Sequence, residues 1–276
     1  MLIAISQKPP LKYSTLAIVV IFHLIAVGAL FTFSWANFLA FFVLYVITGL
    51  GITLGYHRLF THNSFVVNNS VLKVIIAIAG TLALQGSVID WVVDHFQHHN
   101  YSDKKPDPHS SNEGFLWSHL LWLFYPIEEN EQQTKLRAKL NQDKILAFID
   151  KSFVFVGMQF VLGFILLLIG GWGMVLWGVF FRTVFVWHIT WFINSACHFW
   201  GQVEFDDTDD NSKNLWWMAI LANGEGWHNN HHKYQASPKH GLRWYQIDLT
   251  WFIINTLSKV GLVSVNPKLI PVLKNE

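Results

Sequence analysis

The chain has 276 residues, of which 52% are hydrophobic and 13% charged, with a formal net charge of +1. Soluble domains carry about 25% charged residues, so this composition excludes an ordinary water-exposed globule, and the near-neutral balance gives no sign of a nucleic-acid partner. Cys197 is the only cysteine, so no intramolecular disulfide can form.

Four apolar runs, residues 16–33, 38–54, 153–169 and 172–193, are each near the ~20 residues that a bilayer-crossing helix needs. No small-residue cleavage pattern follows the first, so it reads as a span rather than a signal peptide. The first two are joined by residues 34–37 and the last two at Gly170-Gly171. Each pair is predicted to form a helical hairpin.

A fifth apolar run, residues 71–89, contains Lys73, Gln85 and several Gly and Ser residues. His57 and His62 precede it, and His95, His98 and His99 follow it. If it crossed the bilayer, these histidines would lie on opposite faces and could not share a site. The run is therefore predicted to be buried in, or to lie along, one membrane face.

Residues 101–151 turn polar, beginning with Lys-Lys-Pro-Asp-Pro, and the Glu/Gln/Lys-rich residues 128–144 are predicted to form a solvated helix. Lys8, Lys12, Lys104, Lys105, Lys135, Arg137, Lys139, Lys144 and Lys151 fall on the histidine side, whereas the two hairpin tips carry no charge. Lys and Arg accumulate on the cytoplasmic side of membranes. The expectation is an all-α, multi-pass integral membrane protein with four transmembrane helices in two hairpins. One domain covers residues 1–276, with cytosolic parts 55–152 and 194–276 forming a helical cap, and the histidines and both termini are cytosolic. Trp35, Trp172, Trp200, Trp216 and Trp217, near span ends, suit an interfacial belt, although core packing serves some of them equally well.

Nine of the fourteen histidines are bunched: His57 and His62; His95, His98 and His99; His198; and His228, His231 and His232. Imidazole is the commonest metal ligand near neutral pH, and nine exceed what one tetrahedral ion can use. Two metals are expected. Residues three and four apart share a helix face, so each triplet can aim its imidazoles at one region, and Asn194 and His198 are also four apart. His57 and His62 are five apart, off-face in a regular helix; either the helix ends between them or they reach different metals. Arg58 is expected to support the site or lie at the surface. His23, His109, His119, His188 and His240 read as hydrogen-bonded or interfacial. His23 and His188 lie inside spans, which raises a heme held by two axial histidines.

The segments Gly55-Tyr-His-Arg-Leu-Phe-Thr-His62, Asp94-His-Phe-Gln-His-His99, Asn194-Ser-Ala-Cys-His198 and Gly224-Glu-Gly-Trp-His-Asn-Asn-His-His232 resemble those of the membrane fatty acyl desaturases. Within that family they are most similar to the delta-9 group that includes stearoyl-CoA desaturase and the bacterial and cyanobacterial acyl-lipid enzymes. The likeness runs from about Tyr45 to Trp251.

The resemblance implies two ferrous ions held by His57, His62, His95, His98, His99, His198, His228, His231 and His232, with Asn194 reaching one ion through water. The nine are not divided between the ions by sequence. With O2 as co-substrate, the implied reaction removes hydrogen from two neighbouring methylenes of a saturated acyl chain and leaves a cis double bond. Nothing on an alkyl chain marks one carbon for attack, so anchoring and a bent apolar tunnel must select it. By the same resemblance Gln85, Trp91, Thr190 and Trp191 lie at the tunnel bend, Tyr45 and Gly49 at its closed end, and Asp94 near the head group.

Gly86 and Val93 stand where acyl-CoA desaturases place an Asn and an Arg that touch CoA. The substrate carrier is left open between acyl-CoA and a glycerolipid. There is no CxxC pair, no nucleotide-binding glycine pattern and no room for a fused cytochrome. A separate donor of ferredoxin, rubredoxin or cytochrome b5 type, fed by a reductase, is therefore expected, and Lys104, Lys105 and residues 135–144 could dock it or contact anionic lipid. The competing readings are a membrane di-iron fatty acid hydroxylase and a non-catalytic heme electron-transfer subunit. A zinc protease is disfavoured by the lack of HExxH.

Overall fold

In the computed structural model, residues 10–273 are described. The expectation that both termini are cytosolic concerns residues 1–9 and 274–276, which, with Lys8, lie outside the described residues.

The fold is helical apart from one two-stranded ribbon pairing Val66–Val67 with Val263–Ser264. Among the described residues, three helical stretches are long and apolar enough to cross a membrane: Tyr13–Phe31, Trp35–Thr61 and Ser152–Phe199. The first two are joined by a tight link. Ser34 caps the second by accepting from the Asn37 N–H, and the Asn37 side chain donates to the Thr32 carbonyl, 2.7 Å away.

The third stretch reverses at Gly171, whose φ of 70° and ψ of −166° leave the helical region. Leu166 packs against Val175 and Val179 across this break. Leu24, Phe31, Phe160 and Leu168 are more than 60% exposed. Such an apolar surface is what hydrocarbon contact demands.

The fifth run is not one element. Asn69 caps a helix at Ser70–Thr81, and after a turn Ser87 caps another at Val88–Tyr101. Twelve residues rise about 18 Å, short of the ~30 Å hydrocarbon core. Lys73 pairs with Asp143 in the polar segment, which explains a charge in an otherwise apolar run. The polar stretch holds the expected helix at Glu131–Leu140, opened by a capping box between Asn130 and Gln133.

Helix Ser70–Thr81 lies so close to the second apolar stretch that side chains are excluded at the crossing. A Cβ on Gly51 would stand 2.2 Å from the Ala79 carbonyl carbon and the Gly80 nitrogen, and one on Gly80 would stand 2.4 Å from the Tyr56 ring. This contact fixes the height of residues 51–61, which carry the first histidine pair.

Candidate metal centre

The second apolar stretch changes pitch at Gly51. Residues Gly51–Thr61 form a π-helix of eleven residues, a rare element that is found mostly as single turns at functional sites. Its hydrogen bonds join residues five apart: the His62 N–H donates to the His57 carbonyl, 3.1 Å away. Five-residue spacing is therefore on-face here. The helix does end between His57 and His62, at Thr61 with His62 as its C-cap, as one expected alternative had it, yet the pitch still brings their rings together with centroids 4.7 Å apart.

The nine histidines form two groups, one partly and one fully buried. His57, His62, His95, His99 and His231 make one, and His98, His198, His228 and His232 make the other, with ligand atoms of each group within 4.8 Å of one another. Each triplet is split, which refines the expectation that it serves one region. At about 100° per residue, i and i+4 lie only about 40° apart, while the third histidine points elsewhere. The i,i+4 pair His95/His99 joins the first group and His98 the second; His228/His232 joins the second and His231 the first. The two helices thus exchange one imidazole each.

Asn194 and His198 do not share one regular helix. Helix Arg182–Asn194 is interrupted at Ser195 (φ −103°, ψ −71°) before the short helix Ala196–Phe199. Asn194 lines both cavities beside the histidines.

Both groups fit metal ions. The Nε2 atoms of His57 and His231, His95 and His99, His99 and His231, and His198 and His228 are each 3.0 Å apart. An ion about 2.1 Å from each nitrogen would see such a pair at about 90°, as adjacent positions of an octahedron. The Nδ1 atoms of His98, His198 and His232 face Asp107, Asp103 and Asp210 at 3.0, 2.8 and 2.6 Å. A neutral imidazole that donates from Nδ1 presents its Nε2 lone pair, the usual arrangement behind a metal ligand. The Nε2 atoms of His62 and His232 are buried without a hydrogen-bond partner. Imidazole sets suit iron among other transition metals.

Electrostatics favour the ligand form at His95, His99, His228 and His231, whereas at His98 burial is outweighed by the Asp107 carboxylate, which raises it. Burial, with neighbouring imidazoles adding to it, pushes His95, His99, His228 and His231 well below their ordinary range, so they are neutral. Burial opposes ionisation of Glu225, but Arg58, His240 and His57 overcome it and hold its carboxyl well below the usual range. At Asp107 burial is likewise overcome by His98 and His109, and the carboxyl is held at about 2.

These carboxylates were missed by sequence reasoning. Asp103, Asp107 and Asp210 are ordinary loop acids by pattern, and only their closeness in sequence to histidine-rich segments hinted at a role. Glu225 sits 2.8 Å from His57 Nδ1 and 3.0 Å from His240 Nδ1. Arg58, fully buried, donates to Glu225, Asp248 and the Pro238 carbonyl. It is a support of the site and not a surface residue. His240 and His109, placed outside the ligand set, stack on His231 and His98 with centroids 4.4 and 4.2 Å apart.

The tunnel residues line two adjoining cavities. One, of about 60 Å³, has Tyr45, Gly49, Trp91 and Thr190 on its wall with His57, His95 and His228. The other, of about 530 Å³, has Gln85, Trp91, Asp94, Thr190 and Trp191. Trp91, His95, Thr190 and Asn194 border both. Gln85 donates to Thr190, 2.8 Å away, and Tyr45 donates to the Leu221 carbonyl. Burial, with Asp90 beside it, pushes the Asp94 carboxyl up to about 7. Gly86 lies on the larger cavity's wall, whereas Val93 is wholly buried in the core.

His23 and His188 face each other with Nε2 atoms 3.0 Å apart. Two axial ligands of one heme iron would stand about 4 Å apart, twice a metal–nitrogen distance of about 2 Å, with the macrocycle between them. The geometry removes the heme reading. His188 continues to His119 and from there to Ser195, each step 3.0 Å.

A model of the fatty acid desaturase family matches residues 33–259. The chain belongs to the fatty acid desaturase family. This desaturase is 46% identical over 270 residues to an sn-1 stearoyl-lipid 9-desaturase of Anabaena variabilis, covering 96% of this chain and 97% of that one. It is 48% identical over 243 residues to an sn-1 stearoyl-lipid 9-desaturase of Synechocystis sp., covering 87% and 75%. An acyl-CoA C20 Delta5-desaturase of Anemone leveillei is 40% identical over 257 residues, covering 88% and 80%. The protein is thus a fatty acyl desaturase, an oxidoreductase of lipid metabolism, and its apolar helices and histidine groups fit a membrane-bound, metal-binding enzyme.

Proposed function

We propose that the protein introduces a cis double bond at the delta-9 position of a saturated acyl chain, using O2 and electrons from a separate donor. The observation that carries this is the pair of histidine groups, five and four strong, at the wall of an apolar cavity. The names of the relatives support the delta-9 position.

In this reading His57, His62, His95, His99 and His231 hold one iron, and His98, His198, His228 and His232 hold the other, with Asn194 reaching one of them through water. When bound, the two irons supply the O2-derived oxidant for hydrogen removal. The protein's own residues do the rest. Asp103, Asp107, Asp210 and Glu225 fix the tautomer and angle of the imidazoles they face. Trp91 and Thr190, at the junction of the two cavities, bend the chain so that one carbon pair stays beside the histidines, while Tyr45 and Gly49 set how far its end can reach.

The reading includes four membrane crossings in two hairpins with the histidines on the cytosolic side, which the break at Gly171 and the placement of Lys and Arg support. The donor, of ferredoxin, rubredoxin or cytochrome b5 type with its reductase, would dock on the lysine-bearing cap.

Expression in a host that lacks its own desaturase, followed by mapping of double bonds by mass spectrometry, tests the reading. A new delta-9 bond is expected. A hydroxylated chain with no new double bond would sink it in favour of hydroxylation.

A further inference from the structure

Arg182 is fully buried in the third apolar stretch, and among the described residues no carboxylate pairs with it. A buried charge without a counter-ion is costly, and in such a stretch it marks a function by default. Its guanidinium meets backbone instead. Nε donates to the Gly178 carbonyl one turn back at 3.0 Å, and Nη1 donates to the Leu82 carbonyl, 100 residues away in sequence. Nη2 is buried with no partner, so backbone is all that holds this charge.

Leu82 opens the turn between helices Ser70–Thr81 and Val88–Tyr101. The stretch that carries Arg182 holds that turn at three points. Arg182 takes the Leu82 carbonyl, Trp187 donates from Nε1 to the Leu84 carbonyl at 2.7 Å, and Thr190 accepts from the Gln85 side chain at 2.8 Å. The order along the turn is the order along the helix, where the eight residues from Arg182 to Thr190 rise about 12 Å. A further hold comes from the limb before Gly171, whose Gln159 donates to the Thr81 and Leu82 carbonyls at 3.2 and 3.3 Å. Leu84 itself stands at φ 55°, a left-handed conformation that costs a leucine free energy and persists only where its surroundings fix it.

Gln85 and Gly86 border the larger cavity, and Thr190, which Gln85 grips, stands where the two cavities join. Successive carbons of an alkyl chain are one bond of about 1.5 Å apart. A slide of the turn by that much would present a different carbon pair to the histidines, and misplacement by about 1 Å already matters at a reacting centre. Arg182 borders neither cavity and reaches them only through the turn. Trp187 borders the larger one, and its indole N–H is the part that holds the turn.

Resting on the desaturase reading above, we propose that Arg182 and Trp187 are positioning residues: through the Leu82 and Leu84 carbonyls they set where Gln85 stands at the junction of the cavities, and so which carbon pair is desaturated.

The test expresses the full chain and three variants in a host that lacks its own desaturase. Arg182→Met keeps the bulk and removes both backbone contacts, Arg182→Lys keeps a donor, and Trp187→Phe keeps a ring on the wall without its N–H. A merely structural role would change yield but not the ratio of positional isomers, which mass spectrometry maps. That ratio of main isomer to its neighbours should fall at least about fivefold in Arg182→Met and Trp187→Phe, the scale of one lost hydrogen bond. Arg182→Lys should recover most of it. On the purified full chains in detergent, hydrogen exchange gives a second readout that needs no turnover. The Ala83 and Leu84 amides, bonded to the Gly80 and Thr81 carbonyls, should exchange at least about fivefold faster in the same two variants, with helix Val88–Tyr101 unchanged. An unchanged isomer ratio at reduced yield, or unchanged exchange at residues 82–86, overturns the proposal and leaves the desaturation reading intact. Where a variant gives no product, exchange decides alone: faster at that turn only supports the proposal, and faster throughout the chain overturns it. No double bond from the unaltered chain overturns both.

Discussion

At the scale of single residues, His98, His198 and His232 are each held by the carboxylate behind them. His98→Ala strips one ligand from the group of four, and His231→Ala one from the group of five. Either should reduce new unsaturation to background while the protein still inserts in the membrane, and metal analysis should show less bound iron. Product persisting in one variant would remove that residue from the ligand set. Glu225→Gln should be almost as damaging without touching a ligand. Glu225 faces His57, His240 and Arg58 together, and its loss leaves a buried guanidinium half-paired. Such supports typically cost 10- to 100-fold in metal affinity or activity, and breaking a buried pair about 3–5 kcal/mol of stability, so both iron content and melting temperature should fall. At the far end of the smaller cavity, a Cβ on Gly49 would already stand 2.8 Å from the Asn223 side-chain nitrogen. Gly49→Leu should shift products toward shorter acyl chains, read by gas chromatography; an unchanged chain-length profile would place the closed end elsewhere.

At the scale of elements, the π-helix and the glycine crossing explain each other. Eleven residues at π pitch make His57 and His62 neighbours, but so long a run of that pitch is rare, and here a partner helix is pressed against it. Gly51 and Gly80 allow that approach. Gly51→Ala forces a methyl against backbone that has no soft side chain to yield, so it should cost about 1–3 kcal/mol, as overpacking does. Loss of thermal stability and of bound iron together is the expected result; a stable protein with full iron would show that the crossing does not set the height of the histidines. Periodicity could not reveal this element, because sequence patterns assume 3.6 residues per turn. The split of each triplet, by contrast, follows from helix geometry once the second group's position is known.

At the scale of the whole molecule, the proposed topology puts two hairpin tips and one histidine-bearing cap on opposite sides of an apolar belt. Cysteine labelling tests that arrangement. With Cys197, which is buried, replaced by Ser, a cysteine at Phe33 near the first hairpin tip and one at Lys139 on the cap should react with a membrane-impermeant reagent from opposite faces. Labelling of both from one face would refute four crossings.

Composition, apolar run length and the bunching of nine histidines determined by themselves that this is a helical membrane protein with a site for more than one metal, because lipid demands long apolar helices and metals demand clustered donors. They also led to the expectation that residues 71–89 stay on one face. Only the tertiary structure decided which imidazoles lie together, that Asp103, Asp107, Asp210 and Glu225 stand behind some of them, that His57 and His62 are neighbours, and that His23 and His188 touch too closely for a heme. These depend on contacts between residues as much as 190 positions apart, such as Arg58 with Asp248, and on a helical pitch that local sequence does not announce.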